Sequence, residues 1–485
     1  MNSFFRSVAP FFFIPVVVLI FLGASQISVQ AAGGAGGASY EQRIARLEQL
    51  AEQNQTVQPG SNSGDNAWVL ASAALVLMMT APGLILFYGG LVRSKNVLAT
   101  MMHSLVLMAL VSALWMVFGY SMAFAPGNGF WGNFVGNPLT YFMLKGVGAA
   151  PNPDYAATIP QESFMLFQMM FAIITPALIS GAVAERIKFK GYVLFVILWV
   201  TVVYFPLCHM VWGKGGFFNW ELGGKIPVLD FAGGTVVHIS SGVSALVCAI
   251  MLGKRAGYPQ EPMIPHNVVL SLIGTGLLWV GWFGFNAGSA LSSGALATSA
   301  FAATHFSAAA AALSWALMEW RHKGRPSVLG AASGMVAGLA TITPASGFVT
   351  VPAAFGIGLV AGVVCYFAVT ELKSRFAYDD SLDVFGVHGV GSMIGMLMLG
   401  CLASAAVNPA IATTFQVNGV AQSLAGSIRQ LGNQAAGVLV TAVFAGGATF
   451  VLLKITDALV GLRVDIEDES TGLDLTQHGE RAYSE

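Results

Sequence analysis

Apolar runs of about twenty residues recur from Asp65 to about Val460, each nearly free of charge. A helix of that length crosses the ~30 Å hydrocarbon core of a bilayer. Lipid cannot hydrogen-bond the backbone, so only helices and closed barrels span it, and barrel strands show ten-residue polar alternation that this chain lacks. The expected fold is therefore all-α and integral to the membrane. With 9% of its 485 residues charged and 55% hydrophobic, against roughly 25% charged in soluble domains, the chain has too little polar surface for any normally solvated shape.

Polar or turn-rich segments cut the region at 93–96, 125–160, 185–190, 212–227, 253–265, 288–294, 319–326, 343–349, 371–383 and 405–432, leaving eleven spans. Positive charge alternates between these connections. Arg93 and Lys95; Arg186, Lys188 and Lys190; Lys254 and Arg255; Arg321, Lys323 and Arg325; and Lys373 and Arg375 fall on one side. The other side holds only Lys145, Lys214, Lys225 and Arg429. Basic loops stay cytoplasmic, which puts the N terminus outside and the tail inside.

The first 31 residues read as a removed signal peptide, with Arg6, an apolar core from Phe11 to Leu22, and Val29-Gln30-Ala31 at the cleavage point. The alternative, an uncleaved first span, is disfavoured by a core shorter than about 18 residues. Residues 32–64 form an extracytoplasmic extension. Within it Ser39 and Gln42 have capping-box spacing and Ile44, Leu47 and Ala51 recur helically, giving either a short helix or a solvated spacer. Residues 65–460 form the membrane domain and 461–485 a cytoplasmic tail.

Several function classes drop out. A net charge of −1 offers nothing to nucleic acid. The four cysteines, Cys208, Cys248, Cys365 and Cys401, show neither CxxC spacing nor a disulfide pattern. No phosphate loop, dinucleotide fingerprint or nucleophile elbow is present, so the expectation is no enzyme, no cofactor and no metal.

What remains is a pair of intramembrane histidines, His238 in LDFAGGTVVH and His388 in LDVFGVHGVG, each closely preceded by an aspartate, Asp230 and Asp383. Ionisable groups at this depth face a protein interior or a conducted solute. Five spans on each side of residues 254–265 make an odd number, so a duplicated half sits upside down, plus an eleventh helix. Inverted repeats build central pathways. If the fifth span begins near Val228, His238 lies roughly 15 Å along it, near the midplane. His103, His209 and His305 read as packing residues.

PGLILFYGGLVRSKNVL, DFAGGTVVH, GWFGFNAGS, LDVFGVHGVGS and the tail GLRVDIEDESTGLDLTQHGERAY together resemble ammonium transporters of the Amt/Mep/Rh family, on the bacterial Amt side. The resemblance runs from about Asp65 to the C terminus; the extension before it departs from the bacterial pattern. It implies a homotrimer in the bacterial inner membrane with one pore per subunit. It also implies an outer recruitment site of Trp212, Phe124 and Ser289, and a hydrophobic gate of stacked Phe124 and Phe285. His238 and His388 become twin pore histidines sharing a hydrogen bond, with Trp282 packed behind them. The tail becomes a regulatory element that helps dock a cytoplasmic PII signal protein, the alternative being an uninvolved acidic tail.

The residues suit that chemistry. Burying a bare cation costs tens of kcal/mol by Born estimates, whereas an amine with a pKa of about 10.4 loses its proton near pH 7 for roughly 4–5 kcal/mol. Potassium has no such exit. Aromatic faces attract a cation by roughly 0.5–2 kcal/mol, and a serine hydroxyl accepts from N–H. Taken alone, Trp212 is equally an interfacial belt residue. A neutral imidazole donates once and accepts once, which suits ammonia or a relayed proton. Asp230 either favours the cation electrostatically or caps the fifth helix, or both; Asp383 reads as a structural cap. Glu185 and Arg186 are expected to pair. The function expected is electrogenic ammonium uptake, the alternatives being passive ammonia conduction of the Rh type and an ammonium sensor signalling through its tail.

Overall fold

The computed structural model describes residues 61–483. The signal peptide, and the extension with its short helix as far as Gly60, lie outside the described residues. Among the described residues, ten helices are long and apolar enough to cross a membrane, and an eleventh apolar helix is shorter. We number them α1 (Ser63–Leu91), α2 (Ser94–Phe124), α3 (Gln161–Val183), α4 (Phe189–Trp212), α5 (Gly234–Leu252), α6 (Val268–Gly288), α7 (Ala295–Lys323), α8 (Val328–Ile342), α9 (Val351–Phe376), α10 (Phe385–Leu402) and α11 (Ile428–Val460). At 15 residues α8 falls short of a full span, so the expected eleven crossings become ten long helices and one short one. The chain is a multi-pass membrane protein.

Burial ranks the helices by depth in the bundle. The most apolar stretch of α3 is 89% buried and that of α5 72%, against 33% for α11, so α3 and α5 line the centre and α11 the rim. Short antiparallel hairpins, β1 (Pro151–Asn152) with β2 (Ala156–Pro160) and β3 (Gln416–Val417) with β4 (Val420–Ala421), sit in two of the long connections.

The opposite ends of the helices carry an ion-pair cluster. Glu185 bridges Arg93 at 2.7 Å and Arg255 at 3.3 Å, and Arg255 pairs with Asp379 at 2.8 Å. Burial works against its charge, but Arg255 and Arg93 hold the Glu185 carboxyl below the usual range. Arg186 does not pair with Glu185 as expected. Its guanidinium instead donates to the Gly253 and Asp379 carbonyls and to Ser381 Oγ, tying three connections together.

The tail folds against this same face as α12 (Ile466–Thr471) and α13 (Leu473–His478). Asp474 accepts the Ala99 N–H at 2.8 Å, and Asn96 accepts the Leu473 N–H at 2.9 Å. Each side thus caps the other's helix start. Arg463 and Glu469, paired at 2.9 Å, fasten the tail to residues 252–256.

Candidate functional site

The stretch LDFAGGTVVH shapes the first half of the site. Asp230, 2% exposed, accepts the N–H groups of Gly233, Gly234 and Thr235 and the Thr235 hydroxyl. Gly233 turns the chain with φ of 113°, a conformation that favours glycine. The carboxylate therefore caps α5, whose first turns, Gly234–Ile239, are wound in the wider π form that recurs at functional sites. This moves the helix start from the expected Val228 to Gly234, so His238 stands roughly 6 Å into α5 rather than 15 Å. With four donors on its two oxygens, the carboxylate is held at the start of α5.

The second half repeats the arrangement through a different residue. Asp380, not Asp383, caps α10: its Oδ2 accepts the Phe385 N–H at 2.7 Å. Asp383 instead pairs with Lys373 at 2.7 Å, with φ of 61°, in the wall of the cavity that reaches His388 from the Arg255 face. Asp380 precedes His388 by eight residues, as Asp230 precedes His238. His388 also lies in a π-wound opening turn, Phe385–Gly389.

α5 and α10 cross at glycine. A Cβ on Gly242 would lie 2.4 Å from the Gly389 nitrogen, so the backbones meet one turn beyond His238 and beside His388. There the Nδ1 atoms of the two imidazoles stand 3.2 Å apart, one donating and one accepting. The rings stack at 5.2 Å and 18°. His238 is 1% exposed and His388 4%, and His238 Nε2 has no hydrogen-bond partner in the protein.

Aromatic rings extend this pair outward. Phe285 lies 5.9 Å from His238, Phe171 4.2 Å from Phe285, and Trp212 6.0 Å from Phe171. The ring packed against Phe285, tilted by 36°, is thus Phe171 of α3. Phe124, expected there, packs on Phe164 at 4.9 Å and Tyr155 at 5.1 Å. Trp282 lies alongside His238 at 5.5 Å and donates to Thr343 Oγ1.

Three spaces follow one another along this line. An outer cavity of about 360 Å³ is lined by Phe124, Trp212 and Ser289 together with Phe171 and Asp230. A constriction of about 10 Å³ is lined by Phe285, Trp282, His238 and His388 with aliphatic side chains. An inner cavity of about 310 Å³ reaches His388 from the face carrying Arg255 and Lys373. About 10 Å³ is at the limit for one water, so the histidines hold a narrow apolar neck between two far larger chambers. Trp212 donates Nε1–H to the Asp230 carbonyl at 2.9 Å, fixing its ring at the outer chamber. Ser289 donates its hydroxyl to the Phe285 carbonyl at 2.8 Å, leaving its oxygen free to accept.

Among the other histidines, His209 bridges the Ala123 and Gly132 carbonyls. Among the described residues no group of His, Cys, Asp or Glu is arranged to hold a metal. Phe171, Asp380 and Gly242 were not singled out from sequence. Only Asp380 carried a signal there, its eight-residue spacing to His388.

The chain matches the Ammonium Transporter Family over residues 67–483. It is 47% identical over 422 residues to an ammonium transporter of Bacillus subtilis, covering 87% of this chain and 99% of that one. Among solved structures it resembles Candida albicans Mep2 with a TM-score of 0.76 and 33% identity, over 88% of this chain and 91% of that one. A sensor Amt protein is similar at a TM-score of 0.75 and 29% identity, over 86% of this chain and 98% of that one.

Proposed function

The chain belongs to the ammonium transporter family, and on that premise we propose that it takes up ammonium by separating the proton from ammonia within the pore. It is an ammonium transporter and not an enzyme. The cation is recruited in the outer chamber, where the Trp212 ring offers a π face and Ser289 an acceptor, with Phe124 in the wall. It loses its proton at the packed rings of Phe171 and Phe285, since the neck beyond them admits no hydration shell and a desolvated charge is far dearer than a neutral amine. Ammonia then passes His238 and His388, whose imidazoles offer both a donor and an acceptor. The proton crosses separately, so net charge enters the cell.

The observation that carries this reading is the histidine pair, bonded at 3.2 Å in a neck of about 10 Å³ between two large chambers. A channel for a hydrated ion would need width at that point. The matched aspartate-to-histidine spacing in α5 and α10 supports the inverted repeat. The segregation of basic connections to the tail's face supports a cytoplasmic tail and an outside N terminus, in the bacterial inner membrane we propose. In this reading the protein works as a homotrimer in the lipid bilayer, with no nucleic-acid partner, and a PII protein docks on the tail face.

The test is the transient current of purified protein in proteoliposomes after an ammonium jump at several protein densities. Decay that quickens with density means continuous charge transport. Lumen alkalinisation without current would instead mean passive ammonia conduction. Replacing both histidines should admit potassium, and unchanged exclusion would sink the proposed filter. Likeness to a sensor Amt protein favours one second reading, sensing through the tail, which a small current with density-independent decay would bring forward.

A further inference from the structure

The outer chamber contains an acceptor that the recruitment site leaves out. On α3, Phe164, Gln168 and Phe171 follow the spacing that places side chains on one helix face, and all three line the chamber with Trp212 and Ser289. Gln168 is 9% exposed. Its Oε1 is buried with no hydrogen-bond partner. The residue lines the chamber, and a turn of its amide about the terminal torsion brings that unpaired oxygen to face it.

Leaving a buried amide oxygen unpaired is costly, and such an atom in a native structure calls for an explanation. A glutamine used only for packing on this aromatic face would be better replaced by leucine or methionine. An N–H donor entering the chamber relieves the cost. The Ser289 hydroxyl spends its hydrogen on Phe285 and so accepts as well. The chamber thus offers two acceptors and the π faces of Trp212 and Phe171 to one small tetrahedral donor.

We propose that Gln168 is a further substrate-binding residue, its side-chain carbonyl accepting an N–H from the ammonium ion held beside Trp212 and Ser289. The inference rests on the transport reading for its substrate but is tested by binding. Full-length Q168L and Q168E proteins would be titrated with ammonium chloride in detergent by tryptophan fluorescence, alongside proteoliposome currents for KM. Leucine removes the acceptor at similar size, whereas glutamate keeps an oxygen in place. The expected result is a Kd and KM for ammonium raised about three- to tenfold in Q168L, with Q168E within about twofold of the parent on the same scale. Unchanged affinity in Q168L would overturn the assignment. So would equal weakening in both variants, which marks a packing role. If the parent protein binds ammonium yet carries no current, the transport reading fails while the binding comparison still judges Gln168.

Discussion

Replacing Gly242 with alanine places a Cβ 2.4 Å from the Gly389 nitrogen and 2.5 Å from its Cα. Both are backbone atoms, so no rotamer change gives relief. Restoring ordinary contact near 3.4 Å moves α10 from α5 by roughly 1 Å, an overpacking cost of about 1–3 kcal/mol. His388 immediately precedes Gly389, and it rides on that displacement. A contact of 3.2 Å lengthened by roughly 1 Å lies beyond hydrogen-bond range. Losing a net ~0.5–1.5 kcal/mol of pairing corresponds to a flux loss of about two- to tenfold. The assay is ammonium-driven current in proteoliposomes, with potassium current as the selectivity control. G447A, where an added Cβ meets nothing within 4 Å, is the matched control in α11. If G242A carries parental current and excludes potassium equally well, the helix crossing does not set the histidine geometry and the reasoning fails.

Three further outcomes follow from the same geometry. F171A removes the ring on Phe285 and opens room for roughly three waters at ~30 Å³ each, so it should leak potassium. F124A should not, and the reverse pattern would return Phe124 to the gate. Burial, aided by Asp383 and opposed by Lys373, lifts the Asp380 carboxyl to about 6. The folded state then takes up a proton near pH 6 that the unfolded chain takes up only near about 4. The resulting stabilisation is present at low pH and lost as pH rises through about 6. D380N, which can still accept from Phe385, should therefore flatten the Tm change between pH 7 and 5, and an unaltered slope would assign that titration elsewhere. Deleting residues 473–485 uncaps α2 and should cost about 0.5–2 kcal/mol, seen as a lower Tm. An unchanged Tm would show that the reciprocal caps contribute nothing.

Lipid made the helices legible, because each apolar run must satisfy its own backbone and charges can gather only between runs. The histidines were legible for the same reason: intramembrane imidazoles are costly enough to need a purpose. Less visible were features decided by a distant partner. Phe171 lies in FMLFQMMF, where nothing local distinguishes one ring from another; only its contact with Phe285, on another helix, selects it. Gly242 is one of 57 glycines, distinguished by the backbone it meets. The cap of α10 was misread because Asp383 is nearer to His388, although helix geometry follows the capping bond and not proximity in sequence.

The two caps are alike in position and unlike in bonding, and this makes the starts of α5 and α10 inequivalent. Asp230 satisfies both oxygens with four hydrogen bonds, all from residues within five positions of it. Its geometry is set locally and needs no partner from elsewhere. Asp380 makes one such bond, and its Oδ1 is buried without a partner. Its surroundings come from Lys373 on α9, whose ammonium also binds the Asp380 carbonyl, and from a connection held by Arg186 and Arg255. Arg255 pairs with Glu185, and the Ala256 N–H next to it binds Glu469 of the tail. The cap before His388 is thus tied through bonded partners to the tail, whereas the cap before His238 depends on its own turn.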